Sequence, residues 1–402
     1  MKSPTMGGWS ALSVLAGLAL GLTPFGTAFD ISIDSRVFVI TYSMLVTVLA
    51  WLLLLARALD TGAAPLIPSK LALWLFAMLI SMLIPVLLAP DTGAAAGGYM
   101  SFAWGALAGF AIFAVVRSVS QVQFGALDAG MVVFLVWTAY QILSLLGDVD
   151  AVWNWHEAAI LSWGRHNYVA GVLSIVALFA LARAREFAGS LRIVLFISAI
   201  LGLAGVAATM SRGGILAAVA GLAVYVYRSA RSTTGKVLTL TIALVILGTG
   251  VWAFEYVTQL RSMRDAQAEE NIAGRVRIWS QAISHFVDSP LTGTGWLAMR
   301  GDGGTYAHNL VLSFLQIGGL VGMVVVIAPV TVLALRGLRY GGHYAGPLAA
   351  AMVFGASDPL LEGTVGGMAT FAVLLIAATV PRESVHSGEV RSVMVGRGRR
   401  VL

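Results

Sequence analysis

Four short clusters combine residue types that do chemistry with spacings that put them at helix ends. Thr209-Met210-Ser211-Arg212-Gly213-Gly214 stands between two apolar runs. An arginine there has no loop to carry it into water. At the centre of a membrane helix it would cost about 2.5–3.5 kcal/mol, so it calls for an anionic partner. Ser211 is a strong N-cap, Gly213 and Gly214 admit another backbone or a ligand, and Arg212 at a helix N-terminus makes an anion site. The second cluster, Gly274-Arg275-Val276-Arg277-Ile278-Trp279-Ser280-Gln281-Ala282-Ile283-Ser284-His285-Phe286, reads as an amphipathic helix on the outer surface. At about 100° per residue, Arg275 projects from the middle of the apolar face, while Arg277 points the other way with Gln281 and Ser284. Arg275 is the expected ligand-binding residue and Arg277 the more solvated, secondary contact. The third cluster is Tyr306-Ala307-His308-Asn309, directly before a long apolar run. Asn309 caps that run, and His308 is the natural base near neutral pH. The fourth, Gly164-Arg165-His166-Asn167, precedes a middle apolar run and offers further binding positions. Should the helix ends bearing Arg212 and His308 meet, two helix dipoles and several guanidinium groups would surround one cavity, suited to a diphosphate with a base beside it. Asp358 and Glu362, in a tight outward turn, could orient a base or pair with an arginine.

The elements that must position these clusters follow from composition. The chain has 402 residues, 58% hydrophobic and 11% charged, with mean hydropathy +0.88 and no cysteine. Soluble domains carry about 25% charged residues, so a water-soluble globule is excluded. Long continuous apolar runs exclude a β-barrel, and the missing cysteine excludes disulfides and thiolate metal sites. The expected fold is an all-α polytopic membrane protein, a single integral domain over 1–402. It has about twelve spans, beginning near Trp9, Val37, Leu71, Met100, Leu127, Tyr168, Arg192, Gly213, Val237, Asn309, Tyr344 and Gly366. With both termini cytoplasmic, about two thirds of the basic residues fall on cytoplasmic loops and most acids fall outside, as the positive-inside rule requires.

Two outward loops, 147–167 and 255–307, are too long to be mere connectors. The outward basic residues are all arginine, whose planar fork suits phosphate or carboxylate. The net charge of +6 and the basic tail 381–402 are read as a topology anchor touching membrane lipid, not as a nucleic-acid surface. Asp148-Val149-Asp150 does not make a metal site on its own, and no zinc spacing, Gly-x-Ser-x-Gly or Walker pattern is present. No cofactor is expected.

In order and spacing these pieces resemble the O-antigen ligase and polymerase superfamily of bacterial envelope glycosyltransferases. The resemblance covers roughly the second half of the chain. It rests on Ser211-Arg212-Gly213-Gly214, Gly274-Arg275 with Trp279, Pro290-Leu291-Thr292-Gly293-Thr294-Gly295, His308-Asn309 and Gly318-Gly319-Leu320-Val321-Gly322, with a looser match at Arg165-His166-Asn167. It implies a GT-C-like fold of about twelve helices in the bacterial inner membrane and a periplasmic, metal-independent, inverting transfer. A glycan would leave undecaprenyl pyrophosphate for a lipid A–core hydroxyl. By resemblance Arg212 and Arg275 would hold the pyrophosphate and His308 would activate the acceptor. One dominant loop and a short tail favour a ligase over a polymerase or a protein O-oligosaccharyltransferase. A flippase or transporter for the same lipid-linked glycan would favour discontinuous helices and mid-membrane charge.

Overall fold

A computed structural model describes residues 11–33, 36–59, 66–89, 91–118, 125–145, 160–230, 232–235, 237, 241, 267–296 and 307–379. Most of the span expected from Val237, the Asp148–Asp150 pair, the tail 381–402 and parts of the two long loops lie outside these residues.

The described chain is helical, with two small hairpins. Its helices are α1 (Ala11–Gly21), α2 (Tyr42–Leu59), α3 (Ser69–Leu87), α4 (Thr92–Ser118), α5 (Ala126–Leu145), α6 (His166–Ala184), α7 (Gly189–Ala208), α8 (Arg212–Ser229), α9 (Gln267–Asp288), α10 (Leu310–Gly322), α11 (Ala328–Tyr340), α12 (Ala345–Gly355) and α13 (Thr364–Thr379). Among the described residues, 7 helices are long and apolar enough to cross a membrane, counting Leu310–Tyr340 as one. That fits a polytopic membrane protein.

The second span begins later than expected. Val37 lies in strand β2 (Arg36–Thr41), which pairs antiparallel with β1 (Thr27–Ile33), and the helix starts at Tyr42. Alternating β-branched and aromatic residues on both sides of Asp34-Ser35 carry this signal, which an apolar run count overlooks. The fourth span starts earlier than expected, at Thr92, because small residues between Ala94 and Gly98 continue the helix.

Burial sorts the helices into centre and rim. The apolar window of α6 is 89% buried, against 22% for α2 and 28% for α3. A helix apolar on all sides belongs in a core, and one bare on most sides faces lipid. Arg183, Arg228 and Arg339 sit in the last turns of α6, α8 and α11, where cations complement the helix dipole. The opposite, upper end holds the N-termini of α6, α8, α10 and α13. Helix α8 separates Arg212 from Arg228 by about 24 Å.

Candidate functional site

At the start of α8, Ser211 is buried and its Oγ accepts a hydrogen bond from the Gly214 N–H at 3.2 Å. Arg212 is the first helical residue and is exposed. The following glycines serve close packing: a Cβ on Gly214 would lie 2.4 Å from that of Ala170 in α6, and one on Gly213 would lie 2.7 Å from Ser357 Oγ. The Ser174 hydroxyl also donates to the Gly214 carbonyl at 3.0 Å. What they admit is a neighbouring helix and turn.

The start of α10 repeats the device. Asn309 Oδ1 accepts from the Val311 and Leu312 N–H groups at 3.0 and 3.1 Å, and its Nδ2 donates to the Ala356 carbonyl at 3.0 Å. The residue before each cap is left-handed, Met210 at φ 51° and His308 at φ 48°. Non-glycine residues rarely adopt such angles, and they cluster at functional sites. His308 Nδ1 is buried, makes no hydrogen bond among the described residues, and lies 3.8 Å from Asp358 Oδ1.

The turn after α12 joins these two helix starts. Its Ala356 carbonyl holds Asn309, Ser357 lies against Gly213, and Asp358 faces His308. One turn back, Phe354 fills the space between α6 and α8, meeting Gly171 and Gly213. Asp358 was visible in the sequence as a partner for a base. Ala356 and Ser357 carried no signal, because a backbone carbonyl and a packing serine have no motif.

The other expected residues divide. Arg165, the exposed N-cap of α6, closes a two-residue hairpin of β3 (Ile160–Leu161) and β4 (Gly164–Arg165). His166 and Asn167, part-buried, open α6 at the same upper end. The helix they open meets the end of α12 further along, where Gly171 lies against Phe354. Tyr168, next along, accepts the Gly366 N–H at 2.5 Å and so pins the start of α13.

On α9 burial does not separate the two arginines, since Arg275 and Arg277 are both exposed. The inward row is Ile278, Ala282 and Phe286, with Ala282 buried and the other two part-buried, and Arg275 stands exposed one turn before it. Arg275 does lie one turn from Trp279, whose indole N–H donates to the Ala307 carbonyl at 2.8 Å. That contact ties α9 to the residue before His308.

Two motifs that looked separate in sequence are one structure. Helix α10 breaks at Gly319, with φ 54° and ψ −142°, and Pro290–Trp296 straps across the break. The Thr294 and Gly295 N–H groups donate to the Gln316 and Ile317 carbonyls at 2.9 and 3.1 Å, and the Leu320 and Val321 N–H groups donate to the Pro290 and Leu291 carbonyls at 2.8 and 3.1 Å. The strap thus satisfies backbone groups that a broken membrane helix would leave bare. Gly293 and Gly295 adopt φ 67° and 93°, and a Cβ on Gly293 would collide with the Gln316 carbonyl at 2.3 Å. Trp296 is buried and donates to the Met82 carbonyl at 3.1 Å. The loop bearing Arg275 is therefore fixed to the bundle at both Trp279 and the strap.

Four helix N-termini, each about half a positive charge, open toward the same end as the exposed Arg165, Arg212, Arg275 and Arg277. Such an arrangement attracts an anion. Residues 196–327 match the family described as O-Antigen ligase. That supports placing the chain in the O-antigen ligase superfamily. The matched stretch runs from within α7 to the π-helical turn between α10 and α11, and it contains Arg212, Arg275 and His308. Asp358 and Arg165 lie outside the match. No curated protein matches the chain.

Proposed function

We propose that the protein is an O-antigen ligase acting at the periplasmic face of the bacterial inner membrane, with both termini cytoplasmic. The donor is a glycan on undecaprenyl pyrophosphate and the acceptor a sugar hydroxyl of lipid A–core. His308 takes the acceptor proton on Nε2 while Nδ1 faces Asp358. The acceptor oxygen attacks the anomeric carbon, the bond to pyrophosphate oxygen breaks, and configuration inverts. Arg212 and Arg275, with Arg277 as a secondary contact, stabilise the charge that develops on the leaving pyrophosphate. Asp358, 3.8 Å from Nδ1, orients the imidazole. Arg165, His166 and Asn167 supply further substrate contacts, and Ser211, Gly213 and Asn309 hold the two helix starts that bear Arg212 and His308. The leaving group carries its own activation, so no metal or nucleotide enters the scheme.

The observation that supports this most is the meeting of the α8 and α10 starts on one turn, Ala356–Asp358, which gives a base, its carboxylate and an arginine one corner. The broken α10 is the feature a transporter reading would use. Its break is closed by the strap, and neither Gln316–Val321 nor Pro290–Trp296 contains a charged residue. Reconstitution with lipid-linked glycan and lipid A–core, without nucleotide and with chelator, tests the proposal. Glycosylated lipid A–core is the expected product. Lengthened lipid-linked glycan would indicate a polymerase, movement without new bonds a transporter, and inhibition reversed by a divalent ion a metal enzyme.

A further inference from the structure

Helix α9 has two apolar rows, and the protein uses one of them. Ile278, Ala282 and Phe286 turn inward, whereas Val276, Trp279, Ile283 and Val287 are 58, 37, 49 and 68% exposed. The bare row continues one turn on to Leu291, also exposed, whose carbonyl accepts the Val321 N–H. Beside that bond Leu320 and Val324 are exposed on the membrane-spanning segment Leu310–Tyr340. That backbone bond joins the end of the bare row to the exposed apolar face of a spanning segment, and such a face meets lipid. Arg275 and Arg277, both exposed, flank its N-terminal end on either side. Guanidinium groups beside an apolar row with a tryptophan at its edge match the phosphate layer above acyl chains.

We propose that α9 is an interfacial helix, its Val276–Trp279–Ile283–Val287 row seated in the bilayer leaflet at the upper end, with Arg275 and Arg277 at the phosphate level. The occupant of this face is the leaflet itself. Seating fixes the height of Arg275 at the plane where a lipid-borne anion presents its charge. The inference rests on the membrane-spanning helices alone, and it stands or falls independently of the transferase reading.

The chain has no cysteine, so Ile283→Cys and Ser284→Cys each give one labelling position, on the bare apolar row and on the polar face respectively. Each variant carries a bimane label in vesicles of phosphatidylethanolamine and phosphatidylglycerol. The label at 283 is expected to be quenched several-fold more by acyl-chain nitroxide lipids than the label at 284, and several-fold less by aqueous acrylamide. Equal acrylamide quenching at both positions overturns the proposal. So does lipid quenching at 283 that arises only when lipid-linked glycan is added, which would make the substrate tail the occupant. Proximity between 283 labels on different copies that persists on dilution into excess lipid also overturns it, in favour of a second protein copy.

Discussion

At the lower end of the bundle Arg183 is 7% exposed. Its guanidinium spans both carboxylate oxygens of Asp128 at 2.8 Å, also bonds Glu186, and lies 5.1 Å from the Phe187 ring. At the upper end Arg212, Arg275 and Arg277 are exposed. The sequence gives all four the same residue type near an apolar run, yet burial divides them. A buried guanidinium has its charge consumed by fixed carboxylates, while an exposed one stands where a ligand from outside can reach it. The lower cluster extends to Tyr344, which donates to Glu186 Oε1, and to His343, 3.8 Å from the same oxygen. Burial and the Glu186 charge raise the Tyr344 phenol above its ordinary range. Burial alone would raise Glu186, but His343, Arg183 and Tyr344 together hold it below the ordinary carboxylate range.

Four measurements break or sharpen this contrast. His308→Ala should lower glycan transfer by about 10²–10⁴-fold, the usual scale for losing a general base, with thermal unfolding unchanged; near-normal turnover removes His308 as the base. Arg183→Met should do the opposite. It leaves Asp128 buried without its partner, a loss of about 3–5 kcal/mol, read as a lower unfolding temperature in detergent with transfer per folded molecule retained. If instead transfer falls and stability holds, the lower arginine is not structural. Arg275→Lys keeps the charge but loses the fork, so transfer should drop on the order of tenfold, and Arg277→Lys should cost less. Equal losses would show that the two exposed arginines do the same work. The smallest effect concerns pH. Because the folded-state value for Glu186 is depressed, its stabilisation is present above about pH 4.3, the unfolded value, and is lost as pH falls through the folded value. Wild type should therefore unfold at a higher temperature than Glu186→Gln near neutrality, with the gap closing on acidification. A gap independent of pH would mean that charge is not what Glu186 contributes.

Sequence reasoning found the two upper helix starts because capping is local. Ser211 and Asn309 announce a helix within three residues, and both bond as their types require. It misjudged α9 because periodicity reports which residues share a face but not whether that face meets protein or lipid. The apolar side it read as one is divided by the neighbouring helices into a packed row and a bare row. It passed over the lower network of Arg183, Asp128 and Glu186, because counting charges by loop says which side a residue is on and not what it pairs with. Asp128 and Arg183 are far apart in the chain, and only the packing of α5 on α6 brings them together.

By itself the sequence determined the solvent this chain folds in, the helix starts, and the arginines and histidine available for chemistry, since hydropathy, capping and charge act over a few neighbouring residues. Tertiary structure decided which arginine is neutralised, which turn gathers Arg212 with His308, and how the Pro290–Trp296 strap heals the break at Gly319. Those outcomes depend on backbone carbonyls and burial supplied by distant segments, and a linear string carries neither.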